Sequence, residues 1–165
     1  MSTQQHLIVV RGLEDSRSHL ARLLADALPG PTVHIPGDDI GRRWIIHPLA
    51  EQRQEVETVY RLLRLVTISF LKDGYSVVLD APFIAMVDGI YELRTQEIHD
   101  LRRLAHSFRG IDTGVVTLEP SPSLPSRLAE ALHADTIEGE IRVREAGSVN
   151  DADAVGDILA RLGVR

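Results

Sequence analysis

The chain of 165 residues has no cysteine, so disulfides, thiolate metal sites and a cysteine nucleophile are excluded together. Nor does any stretch approach the ~20 apolar residues of a membrane-spanning helix. Met1 to His6 are polar and precede only a short apolar run, unlike a secretory signal, so no membrane association and a cytoplasmic location are the expectation. Positive charge is in deficit: 18 Lys and Arg stand against 24 Asp and Glu, for a net charge of −6. The basic residues are spread along the chain, which argues against nucleic acid as a partner. Of the seven histidines, no pair has the spacing of a helical metal site, and no Gly-x-Ser-x-Gly nucleophile turn occurs. Aromatic residues make up 4%, so Trp44, the single tryptophan, stands out.

The composition that remains, 44% hydrophobic and 25% charged, is that of a globular chain. The length suits one domain over 1–165 that buries roughly 70% of its unfolded surface. Leu7-Ile8-Val9-Val10 reads as a buried strand stopping at Arg11-Gly12. Leu20, Leu23, Leu24 and Leu28 mark a helix closed by Pro29-Gly30-Pro31, and Thr32 to Ile35 a second strand running into Pro36-Gly37-Asp38-Asp39. A long amphipathic helix is predicted from Leu49 to Lys72, then a strand from Ser76 to Asp80, with Pro82 preventing an immediate helix. A helix over Thr95 to Phe108, a strand over Gly114 to Leu118, a helix over Ser123 to His133, a strand over Ile141 to Arg144 and a helix from Asp151, capped by Asn150, complete the reading.

Strands alternating with helices, each strand a continuous apolar run, predict an α/β three-layer sandwich around a parallel sheet. Ligands of such sheets bind beyond the carboxyl ends of the strands. The residues to inspect are therefore Arg11 to Ser18, Asp38 and Asp39, Asp80 to Phe83, and Glu119 to Ser123.

A strand, Gly12, a short polar loop, Ser18 and a Leu/Ala-rich helix together resemble the phosphate-binding segment of P-loop kinases that act on small molecules. Gly37-Asp38-Asp39-Ile40-Gly41-Arg42-Arg43 is similar to the acidic motif of that family, and Val77 to Ala81 to its third strand. The resemblance, to the chloramphenicol phosphotransferase, adenylylsulfate kinase and zeta-toxin-like groups, covers most of the chain. It implies a five-stranded parallel sheet in the order 2-3-1-4-5, with ATP and Mg²⁺ as cofactors. By the same resemblance, Gly12, Ser16, Arg17 and Ser18 contact phosphate, Ser18 through the metal, and Arg127 opens the lid.

The loop departs from G-x-x-x-x-G-K-[ST], whose glycines let successive N–H groups surround phosphate. Gly12-Leu13-Glu14-Asp15-Ser16-Arg17-Ser18-His19 is one residue short, lacks the second glycine, and carries Glu14 and Asp15 where phosphate oxygens would lie. Each such carboxylate at ~4 Å costs a phosphate about 1 to 4 kcal/mol. The lid segment after Arg127 is short and acidic, with Glu130, Asp135, Glu138 and Glu140 before the next arginine, Arg142. Both departures argue against ordinary ATP-dependent phosphoryl transfer.

The resemblance implies Asp38 as the base that takes a proton from an acceptor hydroxyl, with Asp39 as the alternative; a turn and helix cap is the other reading of both. Asp80 ends a buried strand, where a carboxylate needs a partner: a metal-bound water, a substrate hydroxyl, or a structural bond to the phosphate loop. Arg42 and Arg43 are placed to meet an anionic substrate or to face solvent. Trp44 and Phe83 either line a substrate pocket or pack in the core. His19, at the helix start beside the carboxylates, is the one histidine suited to acid/base chemistry. The expected partner is a small-molecule ligand, with self-association left open. Two functions stand at this point: small-molecule binding or chemistry in the cleft without ATP, and phosphoryl transfer to a small hydroxylated substrate.

Overall fold

The computed structural model describes residues 4–13, 16–120, 126–144 and 152–164. In chain order the elements are β1 (Gln5–Arg11), α1 (Ser16–Ala27), β2 (Thr32–Pro36), the helical turn α2 (Gly37–Asp39), α3 (Gln52–Lys72) and β3 (Ser76–Ala81). They continue with β4 (Ile84–Val87), β5 (Ile90–Leu93), α4 (Thr95–His106), β6 (Ile111–Glu119), α5 (Ser126–Ala134), β7 (Ile141–Arg144) and α6 (Ala152–Arg161). A wide helical stretch, Ile40–Trp44, extends α2.

Five strands form one parallel sheet in the order β2-β3-β1-β6-β7, the order that the resemblance implied. Alternation along each strand divides the core. Leu7, Val9, Val77, Leu79 and Val115 face α3 and α4, where Leu63, Leu71, Ile98 and Leu101 meet them. Ile8, Val10, Val78 and Val116 face α1 and α6, against Leu20, Leu24, Val155 and Ile158. Apolar residues on both faces of each central strand are why those strands read as continuous runs. Among the described residues no helix is long and apolar enough to cross a membrane.

Several boundaries differ from the sequence reading. Helix α3 starts at Gln52, not Leu49: Leu49 is exposed, and Glu51 is still extended. Strand β6 starts at Ile111, not Gly114, because β1 pairs with it from Gln5↔Ile111 to Arg11↔Thr117. Helix α4 ends at His106 rather than Phe108. Asn150, Asp151 and Ser123 lie outside the described residues.

One element was missed altogether. β4 and β5 form an antiparallel hairpin turned by Asp88-Gly89, both with positive φ (51° and 78°). That Asp-Gly pair is the short-range signal of a two-residue turn whose twist matches its strands.

Candidate functional site

The carboxyl ends of β1, β2 and β3 converge on one buried cluster. Strand β3 delivers Asp80, which has no exposed surface, to the face covered by α1. Burial of a bare carboxylate there would be costly, and three side chains answer it. Arg17 Nε donates to Asp80 Oδ1 at 3.1 Å, Ser18 Oγ donates to the same oxygen at 2.8 Å, and His34 Nε2 pairs with Oδ2. Burial by itself would raise the Asp80 carboxyl, but the bonds from His34 and Ser18 and the Arg17 charge outweigh it and hold Asp80 below the usual carboxylate range.

Arg17, 3% exposed, is the hub. Its Nη1 donates to the Gly12 carbonyl at 2.6 Å and its Nη2 to Asp38 Oδ2 at 2.6 Å, so one guanidinium ties the loop after β1 to both carboxylates. The planar fork of arginine has the reach and donor count for this, which the compact ammonium of a lysine lacks. Asp38 stands within reach because α2 starts hard against β3. A Cβ on Gly37 would lie 2.7 Å from the Asp80 carbonyl oxygen and 2.8 Å from the Ala81 Cβ, so only glycine allows that approach.

Beyond Asp38 opens a cavity of about 160 Å³ lined by Gly37, Asp38, Gly41, Arg42, Val59, Tyr60, Leu63, Ala81 and Pro82. Its walls are mostly apolar, with Asp38, Arg42 and Tyr60 as the polar groups. Tyr60 is buried against Phe83, ring centroids 5.6 Å apart, with the Arg94 guanidinium 5.8 Å from its ring centre. Burial pushes the Tyr60 phenol far above its ordinary value, so it stays protonated as a neutral group.

A second buried network lies at the ends of β1 and β6. Arg11, fully buried, donates through Nε to Thr117 Oγ1 at 2.8 Å and through Nη1 to Asp135 Oδ2 at 2.6 Å. Its Nη2 reaches the Asp135 carbonyl at 2.6 Å and Glu140 Oε2 at 3.0 Å. Arg142 bonds Glu140 at 2.8 Å and the Asp135 carbonyl at 3.0 Å, and Thr95 donates to Asp135. The segment after α5, read from the sequence as a reduced lid, is therefore fastened to the sheet by two arginines.

The candidates from the sequence divide between two places. Gly12, Arg17, Ser18, Asp38 and Asp80 come together, Ser16 begins α1 beside them, and Arg42 stands at the cavity mouth. Asp39 turns away to Arg43 at 3.2 Å, and both lie on the outer side of the turn. Trp44 is 58% exposed there, on a different pocket. Phe83 is in the core, packed against the cavity residue Tyr60. His19 and Arg127 are exposed, and Glu14 and Asp15 lie outside the described residues.

Sequence reasoning passed over three site residues. His34 was not singled out among the seven histidines, because its partner is 46 positions away. Tyr60 was hidden in the apolar stripe of α3. Arg11 carried the signal used for Asp80, a charge closing a buried strand.

Mg²⁺ fits this cluster poorly. Ser18 and Asp80 are the residue types that a P-loop uses for it, but the Asp80 oxygen nearest Ser18 already holds the Arg17 cation, and His34 takes the other. A second cation on that oxygen would face a fixed guanidinium. No group of three metal-ligating side chains occurs among the described residues.

The sequence matches no family model and no curated protein. Solved structures do match. One, described as the crystal structure of APE1195, superposes with a TM-score of 0.65 at 16% identity, covering 99% of this chain and 96% of that one. Another, the APS kinase CysC of Mycobacterium tuberculosis in complex with AMPPNP and APS, superposes with a TM-score of 0.59 at 16% identity, covering 98% of this chain and 99% of that one. A further structure of the same kinase matches equally. The near-complete superposition, together with the five-stranded parallel sheet, gives this chain the P-loop kinase-like fold.

Proposed function

We propose that the chain binds a small molecule in the cavity beside Asp38 and does not carry out ordinary ATP-dependent phosphoryl transfer. The observation that carries this is the threefold bonding of Arg17: this cation at the loop is spent on the Gly12 carbonyl, Asp38 and Asp80. A triphosphate there would have to take that guanidinium from two carboxylates. Catalysis by phosphoryl transfer depends on free, preorganised cations around the transferring group.

The cavity suggests the ligand's character. At about 160 Å³ it is roughly half of the ~300 Å³ at which drug-sized pockets begin, so it suits a compact molecule rather than a nucleotide. Val59, Leu63 and Pro82 suit an apolar body. Asp38 bonds Arg17 through Oδ2, which leaves Oδ1 to accept from a ligand hydroxyl or amine, and Arg42 at the mouth suits an anionic substituent.

A second reading, phosphotransferase activity of the kind named for the APS kinase, has one observation in its favour: the Ser18–Asp80 bond at 2.8 Å, a pairing of the residue types that hold the metal in P-loop enzymes. Under it Asp38 would serve as base and ATP with Mg²⁺ as cofactors. Calorimetric titration with MgATP separates the two. The proposal expects no saturable heat up to about 1 mM nucleotide, whereas a Mg²⁺-dependent Kd below about 100 µM overturns it. A thermal-shift screen of small hydroxylated and amino compounds should give hits that Asp38→Asn removes.

A further inference from the structure

Helix α3 buries Tyr60, Leu63, Thr67 and Leu71 along one stripe. Packing in such a stripe calls for a ring at Tyr60 but not for a hydroxyl, since phenylalanine has the same shape and no polar atom to satisfy. The hydroxyl has no work inside the fold. It makes no hydrogen bond to a described residue. The Arg94 guanidinium beside its ring is spent on Glu57 at 2.6 Å and Glu92 at 3.4 Å. Nor is the hydroxyl sealed in: among the described residues, the enclosed side-chain atoms left without a partner are Thr67 Oγ1 and Arg94 Nε. Tyr60 is 6% exposed and lines the cavity beside Asp38, so its free hydroxyl opens there.

Burial keeps the phenol protonated, which makes it a permanent donor, and the Asp38 charge is close enough to act on it. Donor and carboxylate therefore share the polar end of an otherwise apolar hollow, and Asp38 Oδ1 is the matching acceptor because Oδ2 is bonded to Arg17.

We infer that Tyr60 sets the ligand class of this cavity: its hydroxyl donates to the ligand's head group while Asp38 accepts from the same head group. That head must accept and donate without carrying charge, as an alcohol or a primary amide does, on a compact apolar body. The inference rests on the proposed ligand site and narrows it. An ammonium has no lone pair for Tyr60, and a ketone has no proton for Asp38. Each leaves a desolvated polar group unpaired, which is how a polar site rejects a near-isostere.

Four compounds that share one branched chain test this: isoamyl alcohol, isovaleramide, isoamylamine and methyl isobutyl ketone, each titrated to about 20 mM against the full chain while its amide NMR shifts are followed. The alcohol or the amide should saturate, moving residues 37–41 and 59–63, and which of them binds tells a one-atom head from a two-atom one. The amine and the ketone should bind at least about tenfold more weakly. Tyr60→Phe should weaken the bound compound at least about tenfold without lowering the urea midpoint, because the hydroxyl has no partner in the free protein. A midpoint that falls would make the hydroxyl structural and overturn the inference. So would unchanged binding by Tyr60→Phe, or an amine or ketone that binds as well as the alcohol and the amide. If none of the four binds while the thermal-shift screen still gives hits that Asp38→Asn removes, this inference falls and the cavity reading stands; if that screen gives none, both fall.

Discussion

Replacing Arg17 with methionine keeps much of the side-chain volume and removes the guanidinium. In the native cluster that group is 3% exposed and contacts Asp80, which has no exposed surface, and Asp38. Taking one partner from a buried ion pair costs about 3 to 5 kcal/mol, because the carboxylate left behind remains desolvated. With a urea m-value of ~2 kcal/mol/M for a chain of this size, the midpoint should fall by about 1.5 to 2.5 M. Arg17→Lys keeps the charge but loses the span to three acceptors, and should cost about 1 to 3 kcal/mol. The pH dependence separates an electrostatic loss from a packing one. In the native protein Asp80 is held below its ordinary value, partly by Arg17. In Arg17→Met that hold is weakened, Asp80 takes up a proton more readily, and protonation relieves the unpaired charge. The destabilisation should therefore be smaller at about pH 4 than at pH 7. Urea melts at both pH values measure it. A loss under about 1 kcal/mol that is the same at both would refute a desolvated ion-pair hub at Arg17.

Two further outcomes follow from the same electrostatics. Arg11→Met removes three hydrogen bonds that fasten residues 135–140, so amide exchange of that segment should accelerate at least about tenfold while α1 exchange changes little; uniform acceleration would mean that the network has no local role. In the wild type, Asp80, Asp135 and Glu140 are each held below their ordinary values of 3.8, 3.8 and 4.5, despite burial that opposes it. The unfolded chain then takes up protons before the folded one, so their stabilisation is complete above about pH 4.5 and declines below it, by at most ~1.4 kcal/mol per pH unit for each carboxyl. His6, lowered from 6.5 by burial, adds a loss that begins as the pH falls through about 6.5. A urea midpoint that stayed level from pH 7 to about 3 would contradict the assignment.

The sequence by itself determined the layering and the strand order. Continuous apolar runs at Leu7–Val10 and Val77–Leu79 require helices on both faces, and the resemblance supplied the order that the strand pairings then displayed. It also brought Asp38, Asp80, Arg17 and Ser18 to one end of the sheet, since strand ends are where a parallel sheet collects its loops. Tertiary structure alone decided what those residues do to one another. Arg17 was read as facing phosphate and lies instead between two carboxylates, because Gly37 lets α2 approach β3 and the fork of an arginine spans the gap. His34 joined the site through a contact 46 residues long, and the acidic segment after α5 became an anchor once Arg11 and Arg142 met Asp135 and Glu140. Periodicity records which face of an element is buried; it does not record which charges meet there, because partners far apart in the chain are chosen by packing distance and by the cost of leaving a buried charge alone.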